Sequence, residues 1–236
     1  MRLKNEFKKI ASWISPPQLF VMGFGALILF GALLLTLPIS TTNGEGLSFV
    51  DALFTATSAT CVTGLVVVDT GTTFTHFGQL VILSLIQIGG LGFMTVASLF
   101  VLILGKKITL RQRLLIQESL NHLTVGGIIR LIRHVILFTV IFEGIGTLIL
   151  GLYWLPDMGW QKSFYFGLFH SVSNFNNAGF DLFGHFRSLT LFVDDPVVNI
   201  VIMTLIVAGG IGFVVIAELV EYKKTKRLSM HTSLLL

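Results

Sequence analysis

Residues 58–65 read SATCVTGL and lie between two long apolar segments of the chain. The stretch is too polar to continue either segment, and its glycine favours a bend. A second stretch of the same kind, SNFNNAGF, occupies residues 173–180. Irregular backbone survives at membrane depth only when it is buried in protein or lines water. We therefore interpret both stretches as re-entrant, ion-coordinating loops that the rest of the chain holds in place.

The composition is that of a membrane protein. Of the 236 residues, 53% are hydrophobic and 12% are charged, whereas a soluble domain carries about 25% charged residues. The single cysteine, Cys61, excludes a disulfide framework within the chain. No cleavage site of small residues follows the first apolar run, so we expect that run to be a retained span.

Four apolar segments are long enough to cross a membrane: residues 19–39, 78–104, 135–155 and 197–217. At about 1.5 Å per residue the first reaches about 31 Å, which matches the hydrocarbon core of a bilayer. Two further segments, 48–59 and 163–173, have a helical pattern but are too short to cross. Ser48 and Asp51 fit an N-cap and capping-box pair at the start of the first short helix.

Lysine and arginine are concentrated in three segments. Of the 16 such residues, 14 lie at positions 1–17, 105–133 and 223–236. The positive-inside rule places these segments, and therefore the amino terminus, in the cytoplasm. The opposite side is mainly acidic, which either builds a cation-attracting mouth or is simply tolerated there. Because the basic residues are spread over three cytoplasmic segments, the net charge of +4 does not indicate nucleic-acid binding.

The two halves of the chain repeat each other. The first short helix and loop match the second at an offset of 115 residues, and QIGGLGF at 87–93 matches VAGGIGF at 207–213. Both halves start on the cytoplasmic side, which predicts parallel repeats. The predicted fold is all-α and membrane-embedded. A terminal segment (1–17) precedes a first span–pore-loop–span repeat (18–104), a basic linker (105–133), a second repeat (134–222) and a tail (223–236).

The chemistry of the two loops suits a cation. Backbone carbonyls can replace the hydration shell of an ion without a charged side chain. Glycine permits the positive φ angles that aim successive carbonyls at one axis. A short helix whose carboxyl end points at the loop adds the negative end of its dipole. The pattern favours a conducting pore over a hydrolase, for which we find no constellation of catalytic residues at membrane depth.

The chain resembles the Ktr/Trk/HKT superfamily of potassium transporters, most closely the KtrB-type subunits of bacteria. The resemblance is carried by TSATCVTGL (57–65), SVSNFNNAGF (171–180) and QIGGLGF (87–93). It implies a multi-pass, non-enzymatic subunit of a bacterial inner or plasma membrane that takes up potassium, often with sodium dependence. It also implies a carbonyl-lined selectivity filter for K+ at eight positions: Cys61, Val62, Thr63, Gly64, Asn176, Asn177, Ala178 and Gly179.

The resemblance further implies partners and ions. Subunits of this type pair as homodimers on a cytosolic ring of nucleotide-binding, KtrA-type regulatory subunits. Potassium is the cargo, sodium is the coupling ion in part of the superfamily, and no organic cofactor is implied. The family has four span–loop–span units around one pore, whereas this chain has two, so we expect about half of a pore. The last residues, HTSLLL at 231–236, are typical of the start of a further span.

Some features keep two interpretations. The glycine pairs at 89–90 and 209–210 (Gly89, Gly90, Gly209 and Gly210) are either gate hinges or sites of close helix packing, the commoner role in membranes. Glu143 lies within a span, where a charge is costly, and is either functional or a structural hydrogen-bonding group. His170 is expected to pack.

The asparagines at 174, 176 and 177 are expected to brace the second loop from behind and not to coordinate the ion directly. Neither loop carries the TVGYG signature of potassium channels, so strict selectivity for potassium rests on the resemblance. A non-conducting membrane scaffold and a less selective cation channel are the alternative functions.

Overall fold

The computed structural model of the protein describes residues 16–92, 128–211 and 215. In these ranges the chain is helical, without a strand, which agrees with the predicted all-α class. The helices in chain order are α1 (Pro16–Leu35), α2 (Phe49–Thr60), α3 (Thr70–Thr73), α4 (His76–Leu91), α5 (Ile128–Tyr153), α6 (Leu155–Met158), α7 (Trp160–Phe175) and α8 (Pro196–Gly210). The predicted tail (223–236), positions 1–15 of the terminal segment and positions 105–127 of the linker lie outside the described residues.

Helix α5 is the longest apolar element. Its segment Ile132–Tyr153 is the one helical segment in the described ranges that is long and apolar enough to cross a membrane. At about 1.5 Å per residue, these 22 residues reach about 33 Å. Three shorter apolar helices accompany it: Phe20–Leu35, His76–Leu91 and Pro196–Gly210.

Helix α4 ends earlier than its hydropathy predicts. The predicted span runs over 78–104, but α4 ends at Leu91, and Gly92 caps it with a φ of +80°. The Gly92 N–H donates to the carbonyl oxygen of Gly89 at 3.0 Å, which tightens the last turn. Glycine adopts this left-handed backbone without a steric penalty. The rest of the predicted span, residues 93–104, lies outside the described residues.

The first short helix is capped as predicted. The Ser48 Oγ accepts from the Asp51 N–H at 3.2 Å and donates to the Asp51 carboxylate at 2.7 Å. This cap satisfies one of the free amide groups at the start of α2. The second short helix, α7, begins at Trp160, three residues before the prediction, because Gly159 reverses the chain there with a φ of +73°.

The two helices predicted to be short, α2 and α7, are enclosed by their neighbours, although α7 has 16 residues and is as long as α4. Helix α2 packs against α1 and α4, and α7 packs mainly against α5 and also against α8 and α4. The contact face of α2 consists of three fully buried alanines, Ala52, Ala56 and Ala59. Their spacing of four and three residues puts them on one side of the helix. Such small side chains let neighbouring helices approach closely.

The outer faces of the long helices are apolar and exposed. Helices α1, α5 and α8 each present large side chains that are more than half exposed, among them Phe30, Val140 and Ile200. An apolar surface of this extent is unusual on a soluble monomer and marks a surface that lipid or protein covers.

Candidate functional site

Loop 1 (residues 61–64) turns the chain sharply at the carboxyl end of α2. Cys61 caps the helix, and Val62 and Gly64 follow with φ angles of +50° and +73°. Two hydrogen bonds close the turn: Val62 N–H to Ala59 O (3.3 Å) and Thr63 N–H to Ser58 O (2.9 Å). This pair of bonds defines a Schellman motif, in which a left-handed residue lets the last helical carbonyls find donors.

Loop 2 (residues 176–179) has the same backbone. Asn176 caps α7, and Asn177 and Gly179 follow with φ angles of +58° and +73°. The two closing bonds are Asn177 N–H to Asn174 O (3.0 Å) and Ala178 N–H to Ser173 O (2.7 Å). Each donor and each acceptor lies 115 residues after its counterpart in loop 1. Two unrelated turns would not be expected to share this register.

The two loops lie against each other at their glycines. A Cβ atom added to Gly64 would be 2.6 Å from the carbonyl oxygen of Ala178. A Cβ atom added to Gly179 would be 3.7 Å from the Cα of Gly64. At position 64 a side chain is therefore excluded twice, by the positive φ and by the neighbouring carbonyl. The predicted filter positions are thus brought together in space.

The glycine pairs, which lie 120 residues apart in the two halves, also make a repeated contact. A Cβ atom added to Gly89 of α4 would overlap the carbonyl oxygen of Thr60, the last residue of α2. One added to Gly209 of α8 would overlap the carbonyl oxygen of Phe175, the last residue of α7. In both halves a glycine therefore lets the helix that follows the loop touch the end of the helix that precedes it.

Loop 2 is held by a cluster of three side chains, Gln87, Glu143 and Asn176, which we call the Asn176 cluster. The Asn176 Nδ2 donates to Gln87 Oε1 at 3.2 Å and to Glu143 Oε1 at 3.1 Å. It also donates to the carbonyl oxygen of Val172 at 2.9 Å. Glu143 and Asn176 are 9% and 8% exposed. Gly90 completes the site, because a Cβ atom there would overlap the Asn176 amide.

The cluster shows what sequence reasoning missed. The sequence marks Glu143 as an ionisable residue within a predicted span and Asn176 as a loop residue, but nothing in it joins them to each other or to Gln87. The three residues come from α5, loop 2 and α4. A signal was present in the polar Gln87, which interrupts the apolar α4 near its end.

Three neighbouring polar side chains also bond within the protein. The Asn174 amide donates to His170 O at 2.7 Å, and the Asn177 amide donates to Ile206 O at 3.4 Å. His170 is fully buried, and its two ring nitrogens lie 2.7 Å from Phe166 O and 3.4 Å from Leu182 N. The Cys61 side chain, in contrast, is exposed.

Beyond the loops, the carboxylate of Asp69 links the two halves of the chain, and we call this link the Asp69 bridge. Asp69 accepts from the Thr72 N–H at 2.8 Å, from the Thr72 hydroxyl at 2.7 Å and from the Phe186 N–H at 2.7 Å. Burial alone would raise the pKa of Asp69, but these hydrogen bonds outweigh it and lower the pKa below its usual range. The segment after loop 1 is therefore fastened to the segment after loop 2.

Asp181 lies close to the Asp69 bridge, and its pKa shifts in the opposite direction to that of Asp69. Burial raises the pKa of Asp181, and the negative charge of Asp69 adds to the rise, while a hydrogen bond from the Phe183 N–H opposes it. Two carboxyl groups on the predicted outer side are thus near enough to influence each other.

Known proteins share this sequence over nearly all of its length. It is 52% identical to the Ktr system potassium uptake protein B of Bacillus subtilis (strain 168) over 230 residues, which are 97% of this chain and 51% of that protein. It is 42% identical to the potassium/sodium uptake protein NtpJ of Enterococcus hirae, over 97% of this chain and 50% of the relative. It is also 42% identical to the Ktr system potassium uptake protein B of Vibrio alginolyticus, over 93% and 48%.

The chain spans about half the length of these curated relatives. A family model described as TrkH, cation transport protein, matches residues 21–235. The expected resemblance to potassium transporters is therefore confirmed at the level of family, and the chain belongs to the TrkH family of cation transport proteins.

Proposed function

We propose that this chain forms about half of the pore of a potassium uptake protein, and that loops 1 and 2 supply backbone carbonyls to its selectivity filter. The observation that carries the proposal is the shared backbone of the two loops, with Gly64 and Gly179 in contact. Carbonyl rings of this kind select among cations by replacing their hydration shells. The names of the relatives, which describe potassium uptake, support the same function.

The filter is assigned to residues 61–64 and 176–179. The positive φ angles at Gly64 and Gly179 are needed to aim successive carbonyls of each loop at one axis, and glycine adopts them without a steric penalty. The helices α2 and α7 end at the two loops, so their negative dipole ends favour a cation there. The side chains of loop 2 bond to the protein, which leaves the carbonyls as the groups that face the ion.

The two halves are proposed to be parallel repeats. A further pair of contacts supports this: a Cβ atom added to Gly31 would lie 2.6 Å from Leu85, and one added to Gly146 would lie 3.0 Å from Leu205. The glycines are 115 residues apart and the leucines 120 apart, the offsets of the sequence repeat. Two such units fill half of a four-unit pore, with the basic segments in the cytoplasm.

The glycine pairs are assigned to packing and not to hinges. Gly89 and Gly209 each lie against the last carbonyl of a short helix, where a methyl group would overlap. This contact fixes the end of the short helix, and with it the start of the loop. Movement at these glycines would separate the loop from its support, so a hinge there would work against the filter.

A less selective cation pore is the second candidate. The relative from Enterococcus hirae is named for both potassium and sodium uptake, and neither loop has the potassium-channel signature. Sodium is therefore either a coupling ion or a second cargo. A non-conducting scaffold is disfavoured by the matched loops, which a scaffold would not need.

The surroundings follow from the same reasoning. The apolar faces of α1, α5 and α8 are assigned to lipid and to further units of the pore. The relatives are named as parts of Ktr systems, which supports a multi-component assembly. A homodimer seated on a cytosolic nucleotide-binding ring is the partner arrangement we propose.

The test is potassium uptake by cells that lack their own uptake systems and express the protein as the organism makes it. Gly64→Ser and Gly179→Ser are compared with the unmodified protein at equal membrane abundance. We expect each to weaken potassium affinity and the preference for potassium over sodium. Gly44→Ser is the matched control, because Gly44 also has a positive φ (+71°) but lies in open space away from the loops.

Two results would contradict the proposal in different ways. An unmodified protein that carries no cation would support the scaffold. A conducting protein in which both loop variants keep the affinity and selectivity of the unmodified form would remove the filter assignment.

A further inference from the structure

The Asn176 cluster belongs to one loop only. At the offset of 115, Asn176 corresponds to Cys61, and Glu143 corresponds to Ile28. At the offset of 120, Gln87 corresponds to Val207. All three polar residues of the cluster therefore replace apolar or weakly polar residues of the other repeat. A shared backbone does not require the cluster, so its presence at loop 2 calls for a specific role.

From this arrangement we propose that Glu143 and Gln87 are positioning residues for ion selectivity, which act by fixing Asn176 at the start of loop 2. The inference rests on the proposed role of loops 1 and 2 as the filter. In this role the Glu143 carboxyl in the middle of α5 acts without contacting the ion.

The geometry makes Asn176 the point through which support reaches the loop. Asn176 is the capping residue of α7 and the first of the four filter positions. Its amide nitrogen has two hydrogens and three acceptors, from Gln87, Glu143 and Val172, at 2.9–3.2 Å. The Val172 bond ties the side chain to its own helix, while the other two tie it to α4 and α5. The residue is thus held from three directions.

The position of Glu143 within a membrane span makes its hydrogen-bond partners necessary. A carboxyl group within a membrane span is costly unless it is paired and hydrogen-bonded. The Glu143 carboxyl has such a partner in the Asn176 amide. On the opposite side, Gly90 leaves space that the Asn176 amide fills.

The orientation of Asn176 affects selectivity through the carbonyls of loop 2. Rotation of Asn176 about its backbone would turn the first peptide groups of loop 2 and change the distance between facing carbonyls. The glycine contact between the loops would pass part of this change to loop 1. A cluster that prevents the rotation keeps the coordinating oxygens in one arrangement, and both their spacing and their number bear on the choice between two monovalent cations.

The test measures the ratio of potassium to sodium uptake in the full protein, in cells that lack their own uptake systems. Glu143→Leu removes the acceptor, Glu143→Gln keeps an acceptor oxygen, and Gln87→Leu removes the second acceptor and leaves Glu143 in place. We expect Glu143→Leu to lower the ratio by about tenfold, as for the loss of one hydrogen bond from the Asn176 amide. Gln87→Leu should lower it less, and Glu143→Gln should retain most of it.

A double variant separates positioning from a merely structural role. If Glu143 acts through Asn176, then adding Glu143→Leu to Asn176→Ala should lower the ratio no further than Asn176→Ala alone. Thr139→Val is the matched control: Thr139 is buried one turn earlier on α5, and its hydroxyl has no partner among the described residues. It should leave the ratio unchanged.

The outcomes are distinct. A conducting, selective protein in which Glu143→Leu and Gln87→Leu keep the original ratio would overturn the inference and leave the proposed pore intact. Independent, multiplicative losses in the double variant would also overturn it. If Glu143→Leu does not reach the membrane, Gln87→Leu decides alone. An unmodified protein without uptake would instead refute the proposed function itself.

Discussion

Loops 1 and 2 have the same backbone and different support. Loop 1 is followed by Leu65, which is 63% exposed, whereas loop 2 is followed by Phe180, which is 2% exposed. In loop 1 the Ser58 hydroxyl accepts from the Thr63 hydroxyl at 2.9 Å. In loop 2 the corresponding Ser173 hydroxyl donates to the carbonyl oxygen of Phe180 at 2.7 Å.

The comparison of the two loops shows that the main-chain geometry is required in both, whereas the side-chain contacts can differ. The left-handed residue, the second positive φ at a glycine and the Schellman bonds recur in both loops. The side-chain hydrogen bonds that secure this backbone do not recur, even where the serine itself does. The carbonyl path is therefore set by main-chain geometry, and each repeat stabilises that path with its own set of side chains.

The largest effect is expected where the two halves are most alike, at Gly89 and Gly209. Replacing either by alanine places a methyl group on the last carbonyl of a short helix, and overpacking of this kind costs about 1–3 kcal/mol. We expect both variants to lower the thermal midpoint of the detergent-solubilised protein and to reduce uptake. Gly144→Ala is the control, since Gly144 of α5 has nothing within 4 Å of an added Cβ. If only one of the two variants lowers the thermal midpoint and uptake, the two glycine contacts are not equivalent.

The next effect concerns the Asp69 bridge, where the halves contribute different parts. The segment after loop 1 supplies the carboxylate, and the segment after loop 2 supplies the Phe186 N–H. Asp69→Ala leaves that amide without its acceptor, which we expect to cost about 1–3 kcal/mol. Thermal unfolding of the variant measures the cost, and an unchanged midpoint would show that the bridge contributes nothing.

The bridge should also respond to acid. Because the native pKa of Asp69 lies below the unfolded value of about 3.9, its carboxylate stabilises the native state above that value. This contribution is lost as the pH falls through the native pKa. The difference in thermal midpoint between the unmodified protein and Asp69→Asn should therefore shrink as the pH is lowered below about 4. A difference that stays constant down to acid pH would contradict this account.

The smallest effect is expected at the left-handed positions, Val62 and Asn177. A β-branched residue is disfavoured at positive φ, whereas asparagine tolerates it. Val62→Asn should stabilise loop 1 by up to about 1 kcal/mol. Asn177→Val should destabilise loop 2 by a similar amount and also remove the bond to Ile206 O. We expect the thermal midpoints of the two variants to shift in opposite directions. Shifts of the same sign would show that the positive φ does not strain valine equally in both loops.

Local signals predicted the local structure well. The Ser48–Asp51 cap and the short length of α2 follow from neighbouring residues, and the structure confirms both. The end of α4 at Leu91 did not follow from hydropathy, because the segment beyond Gly92 is as apolar as the helix itself. Hydropathy reports burial in an apolar medium and contains no information on backbone dihedral angles.

The candidate site was predictable in part. The spacing of Gly64 and Gly179 suggested the two loops, and the glycine pairs suggested a repeated packing role. The positive φ of Val62 was not predictable, since the residue type opposes it and only the surrounding hydrogen bonds impose it. The Asn176 cluster was also hidden, because its partners are 89 and 33 residues away along the chain.

The contact between Gly64 and the Ala178 carbonyl has a mechanical consequence. Two loops that touch through main-chain atoms have no side chain between them to absorb a displacement. We therefore expect the loops to change conformation together, so that a collapse or widening starting in one is shared by the other. Such an arrangement would switch between conducting and non-conducting forms in one cooperative step, with few stable intermediate widths.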